Sequence, residues 1–419
     1  MGLIVSLLLL LLAFTGAPVF TLIGAGSVFL FAGAQIDSSA VIVEMLRLAA
    51  LPALIAIPLF TFAGYVLAES KAPRRMLALA EALFGSLPGG LAIVALFTTS
   101  LFTAFTGASG VTIIAMGGLL YPMLLKQGYP EKFTLGLLTT TGSLGLLFPP
   151  SLPIILYGLV AKISIDDLFR AGLLPGVLLL LALSVYAFFT ARRSGAKQTP
   201  FALGALKKAA RDAVWEIPLP FVIIGGIYAG LFTAGEAASV MAFYVLATEV
   251  VIHRDLHIFR DIPRIAVKSM LLVGAIFMVL GTALGFTNYL IDAQIPDRIF
   301  AWLHAFVSSK VLFLILLNAC LLVINMIEIF SAIIIVVPII VPIAAQYGID
   351  PVHLGIIFLL NLEIGYMLPP LGLNLFLASS RFGKKLPELY RAIVPFLLIL
   401  LVMLALVTYL PSLSLIGIK

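Results

Sequence analysis

Residues 91–125 and 311–345 are apolar runs of 35 residues, the first without a charge and the second carrying only Glu328. As a straight helix either would be about 52 Å long, against a bilayer hydrocarbon core of about 30 Å. Each must therefore turn back inside the membrane or leave it. The first is interrupted at its centre by Thr106-Gly107-Ala108-Ser109-Gly110, small residues that suit a chain reversal better than a helix. The expected form is a re-entrant helical hairpin whose tip stops at mid-depth. Backbone freed at that depth is tolerated only where it is buried in protein or lines a cavity.

Further apolar runs follow, and composition agrees with them: 62% of residues are hydrophobic and 11% charged, against about 25% charged in a soluble domain. An ordinary soluble enzyme and a disordered chain are both excluded. A transmembrane β-barrel would show alternating segments of about ten residues instead. The expected fold is an all-α polytopic membrane protein. Two of the runs are broken by paired prolines, Pro149-Pro150 and Pro369-Pro370. Proline donates no backbone hydrogen bond and disfavours helix in the residue before it, so each run should unwind and free its carbonyls.

The two breaks lie 220 residues apart, and the same offset relates Gly145 to Gly365, Gly128 to Gly348 and Pro122 to Pro342. It also sets the first hairpin tip opposite residues 326–330, in the middle of the second long run. This is an internal repeat of hairpin, broken helix and span. If both ends of the first hairpin face the cytoplasm, 19 of the 25 Lys and Arg residues fall on cytoplasmic segments, as the positive-inside rule asks. The chain then crosses an odd number of times between the broken helices, so the repeats are inverted and the second hairpin enters from outside. The expected division is residues 1–70 as N-terminal scaffold, 71–192 as the first transport half (hairpin 88–127, broken helix 131–161), 193–290 as linker and scaffold, and 291–419 as the second transport half (hairpin 309–346, broken helix 352–381). Residues 3–34 read as two short spans parted near Gly16-Ala17-Pro18. The mixed stretches 37–48, 73–83, 204–214 and 296–307 read as amphipathic interfacial helices.

Inverted repeats with discontinuous helices outline a secondary transporter. Unwound carbonyls and hydroxyls suit a hard cation, and helix N-termini suit a carboxylate. In the first half Thr106, Ala108 and Ser109 face the break from Gly142 through Gly145 to Pro149. In the second, Asn325, Met326, Glu328 and Ser331 lie at the tip, and Glu363, Gly365, Leu368 and Asn374 flank the break. The competing reading is that Ser and Thr in membrane helices bond their own i−4 carbonyls, and that the carboxylates form structural pairs. Intramembrane carboxylates are costly, so they are functional candidates by default. No Ser/His/Asp or Cys/His arrangement suggests an enzyme, and there is no Walker A pattern. Cys320 stands alone, and the i,i+4 pair His253 and His257 lies in a basic stretch, a weak metal signal. The net charge of +6 is spread between spans, which suits a membrane surface and not nucleic acid.

The Thr106-Gly107-Ala108-Ser109 tip, Gly145-Leu146-Leu147-Phe148-Pro149-Pro150-Ser151, Asn361-Leu362-Glu363-Ile364-Gly365 and Pro369-Pro370-Leu371-Gly372-Leu373-Asn374 together resemble the large (M) membrane subunit of tripartite ATP-independent periplasmic (TRAP) transporters, over nearly the whole chain. The resemblance implies an elevator-type, Na⁺-driven importer of organic carboxylates such as C4-dicarboxylates, sialic acids or sugar acids, with Na⁺ as coupling ion and no organic cofactor. It also implies a small four-helix membrane (Q) subunit, a periplasmic substrate-binding (P) protein, and a place in the inner membrane of a bacterium or archaeon. On this reading one Na⁺ site uses Thr106, Ala108, Ser109, Gly142, Gly145 and Pro149. A second uses Met326, Glu328, Gly365, Leu368 and Asn374. The substrate meets Ser109, Gly110, Ser151, Asn325 and Asn374. Two positions depart from the family: Ala108, where Ser is frequent, and Leu368, where Thr is common. If that Thr hydroxyl is an ion ligand, the second site is altered here. A stand-alone Na⁺- or H⁺-coupled anion carrier of the same superfamily is the alternative.

Overall fold

The structure, a computed structural model, describes residues 2–37, 39–324 and 329–418. Among these there are helices and no strand. Seven helices are long and apolar enough to cross a membrane, and Glu131–Leu147 with Leu152–Ala161 forms a further span bent by 43° at the Pro-Pro pair. The N-terminal run is two helices, Gly2–Phe14 and Val19–Gly33, parted where proline blocks continuation. The four stretches of mixed charge are the helices Ser39–Ala49, Ala72–Phe84, Leu203–Asp212 and Ile295–His304.

The first long run reverses. Its arms are Gly90–Thr106 and Ser109–Lys126, joined by Gly107 at φ 64° and an extended Ala108. A side chain at Gly107 would be strained twice, by the left-handed backbone and by Leu152. Across the tip the hydroxyls of Thr103 and Thr112 meet at 2.7 Å, where nine residues of continuous helix would part them by about 13 Å. The tip is shorter than the sequence suggests, because Ala108 begins the second arm and places Ser109 and Gly110 in its first turn. The second run has arms Lys310–Ile324 and Ile329–Gln346. Asn325, Met326 and Glu328 lie outside the described residues, and Phe330 is already helical. Its reversal is seen at the other end. Lys310 Nζ donates to the Gly348 carbonyl at 2.8 Å, and Phe313 stacks on Tyr347 at 4.2 Å.

Helix starts at Gly90, Ser109 and Glu131 recur at Lys310, Ile329 and Pro351, so the offset of 220 read from the prolines holds for the helices. The halves are also inverted. The ends of the first hairpin meet one linker, through Lys197 N–H to Gln127 O at 2.7 Å and Thr199 N–H to Gly85 O at 3.0 Å. From there the 30-residue helix Ile165–Ser194, about 45 Å long, reaches the opposite face. On that face Tyr157 donates to Pro351 O at 3.1 Å, beside the ends of the second hairpin. Between the two, Ser143 Oγ donates to the carbonyl of Glu363 at 3.5 Å. Residues at equivalent positions of two inverted halves touch only near the axis relating them, so this contact marks it.

The arm helix Ala72–Phe84, which feeds the first hairpin, is pinned by Arg75. Its guanidinium donates to Glu216 at 2.5 Å, to both oxygens of Glu249 at 2.9 and 2.8 Å, and to Asp255 at 2.5 Å. Glu249 lies in a π-helical turn, Ala247–Ile252, a local widening that changes which face its side chains reach. Burial works against the charge on Arg75, but the bonds to Asp255 and Glu249 outweigh it and hold the guanidinium proton above its ordinary range. These four residues come from three separate segments, and the sequence gives no sign that they meet.

Candidate functional site

The first break is built from both arms of the first hairpin and the unwound stretch between Glu131–Thr141 and Leu152–Ala161. A 3-10 turn, Leu144–Leu147, fills part of it, and the Pro149-Pro150 bond is cis. Thr112 donates to Thr103, whose own proton goes to the Gly142 carbonyl at 3.1 Å. Gly145 lies flat on the first arm: a Cβ there would stand 2.3 Å from Ser100 O and 2.5 Å from Ala104 N. The tip itself rests on Leu152, the first residue after the break. Thr106, Ser109, Gly142, Gly145 and Ser151 are thus gathered in one buried region, with Ala108 at the turn. The hydroxyls of Ser100, Thr106 and Ser151 are buried with no hydrogen-bond partner, and an unpaired buried hydroxyl costs about 1–3 kcal/mol. A built set of such oxygens calls for a ligand.

The second break is differently made. Carbonyls are taken up locally in both, Ser143 O and Gly145 O by Leu146 and Phe148 N–H in the first, and in the second Gly365 O by Leu368 N–H at 3.1 Å, Leu368 O by Gly372 N–H at 3.0 Å and Tyr366 O by Asn374 N–H at 3.0 Å; the difference lies in the side chains. The Leu368 side chain is half-buried hydrocarbon. Asn374 reaches out of its own half. Its Nδ2 donates to Thr139 O and Ser143 Oγ of the first break, both at 3.3 Å, while its Oδ1 has no partner. Gly142 lies beside it: a Cβ there would crowd Ile113 at 2.6 Å and come within 3.4 Å of Asn374 Nδ2. Glu363 is fully buried, and neither carboxylate oxygen has a partner. Gly110 packs on Leu377 and Gly117 on Phe382, so the first hairpin leans on the second half's helix Leu373–Phe382.

Reading hydroxyls from the sequence divides them imperfectly. Thr98, Thr99, Thr139 and Thr140 bond their own i−4 carbonyls, the plain structural use of Thr in such helices. Ser100, Thr103, Thr112 and Ser143 belong to the site, and sequence reasoning missed them. The runs at 98–100 and 139–141 were the available signal, but they do not say which hydroxyl points where.

Chemically the region offers hydroxyl and carbonyl oxygens with no basic side chain bonded to them. Among the described residues no three His, Cys, Asp or Glu converge, and the oxygens gathered here are of the hard, uncharged kind. At the same tip the second arm begins, and the first N–H groups of a helix lack intrahelical partners and favour an anion. One chain reversal therefore brings hydroxyl and carbonyl oxygens and the free N–H groups of a helix start side by side.

Residues 3–413 match the family described as the tripartite ATP-independent periplasmic transporter, DctM component. The chain is 37% identical to the C4-dicarboxylate TRAP transporter large permease protein DctM of Pseudomonas aeruginosa, over 94% of this chain and 92% of that protein. It is 35% identical to the protein of the same description from Rhodobacter capsulatus, over 99% and 98%. In fold it is similar to the crystal structure of the YdaH transporter of Alcanivorax borkumensis, with a TM-score of 0.62 at 16% identity, over 89% of this chain and 88% of that one.

Proposed function

The chain belongs to the DctM family of tripartite ATP-independent periplasmic transporters, and from that premise we propose that it is the membrane-embedded translocation subunit of a Na⁺-coupled importer of small organic carboxylates. C4-dicarboxylates are the first class to test, because the two relatives at 37% and 35% identity carry that substrate in their names. The observation that carries Na⁺ coupling is the group of unpartnered buried oxygens on Ser100, Thr106 and Ser151 around the first break, beside N–H groups that a carboxylate would need.

In this reading Na⁺ is cargo. It is held by Thr106, Ser109 and the carbonyls near Gly142 and Gly145, and it screens the substrate carboxylate at the head of the Ser109–Lys126 arm. The hairpins and broken helices move as one body against the scaffold helices, an elevator step, and the arm helix held by Arg75 stays with the scaffold. Family membership implies a separate substrate-binding protein and a small membrane subunit. The small subunit is placed against the static helices, since a moving hairpin cannot slide against a fixed neighbour. Uptake into proteoliposomes holding the chain with both partners is expected to rise with external Na⁺. Undiminished uptake with choline in place of Na⁺, driven by a proton gradient, would refute Na⁺ coupling.

A further inference from the structure

A cavity of about 600 Å³ opens on the face away from the first hairpin's ends, the side that the distribution of Lys and Arg assigns to the exterior. Its walls include Arg47, Lys162, Ser164, Asp166, Thr233 and Asn288, from helix ends of both the first transport half and the scaffold. The size suits a small-molecule site, for which about 300–1,000 Å³ is usual. Its charges sort into spent and unspent. Glu44 on the same wall pairs with Arg47 at 3.4 Å. Ser164 is occupied capping the helix Ile165–Ser194 through Asp167 N–H, and Arg170, a turn beyond Asp166, donates to Tyr228 O at 3.4 Å. The Lys162 side chain forms no ion pair or hydrogen bond among the described residues. The residue caps the helix Leu152–Ala161 in left-handed conformation, φ 56°, uncommon for Lys. Asp166 keeps Oδ1 buried without a partner. Lys162 and Asp166 thus line the same cavity, and no ion pair or hydrogen bond joins them or occupies the Asp166 carboxylate among the described residues.

We propose that this cavity is an entry site for a small carboxylic acid that also carries a hydrogen-bond donor, a hydroxy acid in the first instance: the carboxylate meets Lys162, and the hydroxyl donates to Asp166. A dicarboxylate of the same length without the hydroxyl is disfavoured, because a methylene offers Asp166 no proton. The site is distinct from the hairpin tip but joined to it. Leu152–Ala161 is about 15 Å long, carries Lys162 at one end, and has Leu152 against the tip glycine at the other. The inference rests on the transport reading for its purpose, but not for its test.

The test is amine-reactive labelling of Lys162 in the full chain in nanodiscs, without Na⁺ or partners, read by mass spectrometry, with malate and succinate as probes. At about 10 mM a millimolar site is about nine-tenths filled, so malate is expected to slow labelling of Lys162 about tenfold. Succinate is expected to protect severalfold less, and Lys207 on the far face should be unaffected by either. Asp166→Asn leaves the capping hydroxyl of Ser164 in place and should bring malate down to the protection given by succinate. No protection of Lys162 by malate, or equal protection by the two acids in the unaltered chain, overturns the proposal. A chain that transports nothing in proteoliposomes but passes this test would fail the transport reading alone.

Discussion

Ser100, Thr103, Thr106, Ser109, Thr112, Ser143 and Ser151 of the first half stand where the second half has Cys320, Val323, Met326, Ile329, Ala332, Glu363 and Leu371. The helices around them begin at matching positions. What the repeat preserves is the Pro-Pro breaks with Gly145/Gly365, Gly128/Gly348 and Pro122/Pro342; the tip glycine Gly107, matched by Ile327, and the polar lining have diverged. The arms differ in the same way: Arg75, bonded to three carboxylates, is matched by Ile295. The second half still serves the first, because Asn374 crosses to Thr139 and Ser143. The expected consequence is one well-formed cation site in the first half, and a second that is altered because Leu368 brings no oxygen.

The largest test of this asymmetry is Arg75→Met. Removing one partner of a buried ion cluster costs about 3–5 kcal/mol, and Ile295→Met should cost little by comparison; thermal unfolding in detergent compares them. The same tether sets a pH response. Burial pushes the Asp255 carboxyl up, but bonds from Arg75 and Lys71 outweigh it and hold it below its ordinary value. A depressed carboxyl stabilises the fold above its unfolded value, about 3.9, and loses that contribution as pH falls through the folded one. The part of the melting temperature contributed by Asp255 should therefore hold down to about pH 4 and fall below it. In Arg75→Met the fall should begin at higher pH; an unchanged profile counts against the tether.

Next in size is Gly145→Ala. Its Cβ would meet backbone, which cannot swing aside. Overpacking of about 1–3 kcal/mol should lower Na⁺-dependent uptake by one to two orders of magnitude while membrane insertion persists. Gly142→Ala meets chiefly the Ile113 side chain and should be milder; equal effects would break the argument from close approach. Asn374→Leu removes two bonds between the halves at about 1 kcal/mol, so the Na⁺ concentration for half-maximal uptake should rise about fivefold. If only substrate affinity moves, Asn374 serves the second half after all. The smallest effect is expected from Leu368→Thr, which should leave the fold intact and raise Na⁺ affinity about two- to threefold, the scale of one weak hydroxyl contact. No gain would mean that the second site does not use this position.

The hairpin and the breaks were legible because their causes are local. A 35-residue apolar run cannot lie straight in a bilayer, and Pro149-Pro150 unwinds a helix wherever it sits. Thr106 and Ser109 were legible as tip residues for the same reason. Thr103, Thr112 and Ser143 were not, because in one dimension they look like Thr98 or Thr139, which bond only their own helix. Asn374 was read with the Pro369-Pro370 break, which ends four residues before it, yet its amide is bonded 231 and 235 residues away in sequence.

By itself the sequence determined the all-helical membrane class, the two reversals, the two breaks, their spacing of 220 residues and the family. The family rests on the resemblance of its motifs; the rest follows from hydrophobic length, proline stereochemistry or charge placement, which act within a few helical turns. The tertiary structure decided which hydroxyls stay unpartnered around the first break, that Asn374 completes that break from the other half, that Arg75 gathers Glu216, Glu249 and Asp255, and that Lys162 and Asp166 face one cavity. Those outcomes depend on which groups are brought within about 3 Å across the fold, and a hydrogen bond is blind to the length of chain between its ends.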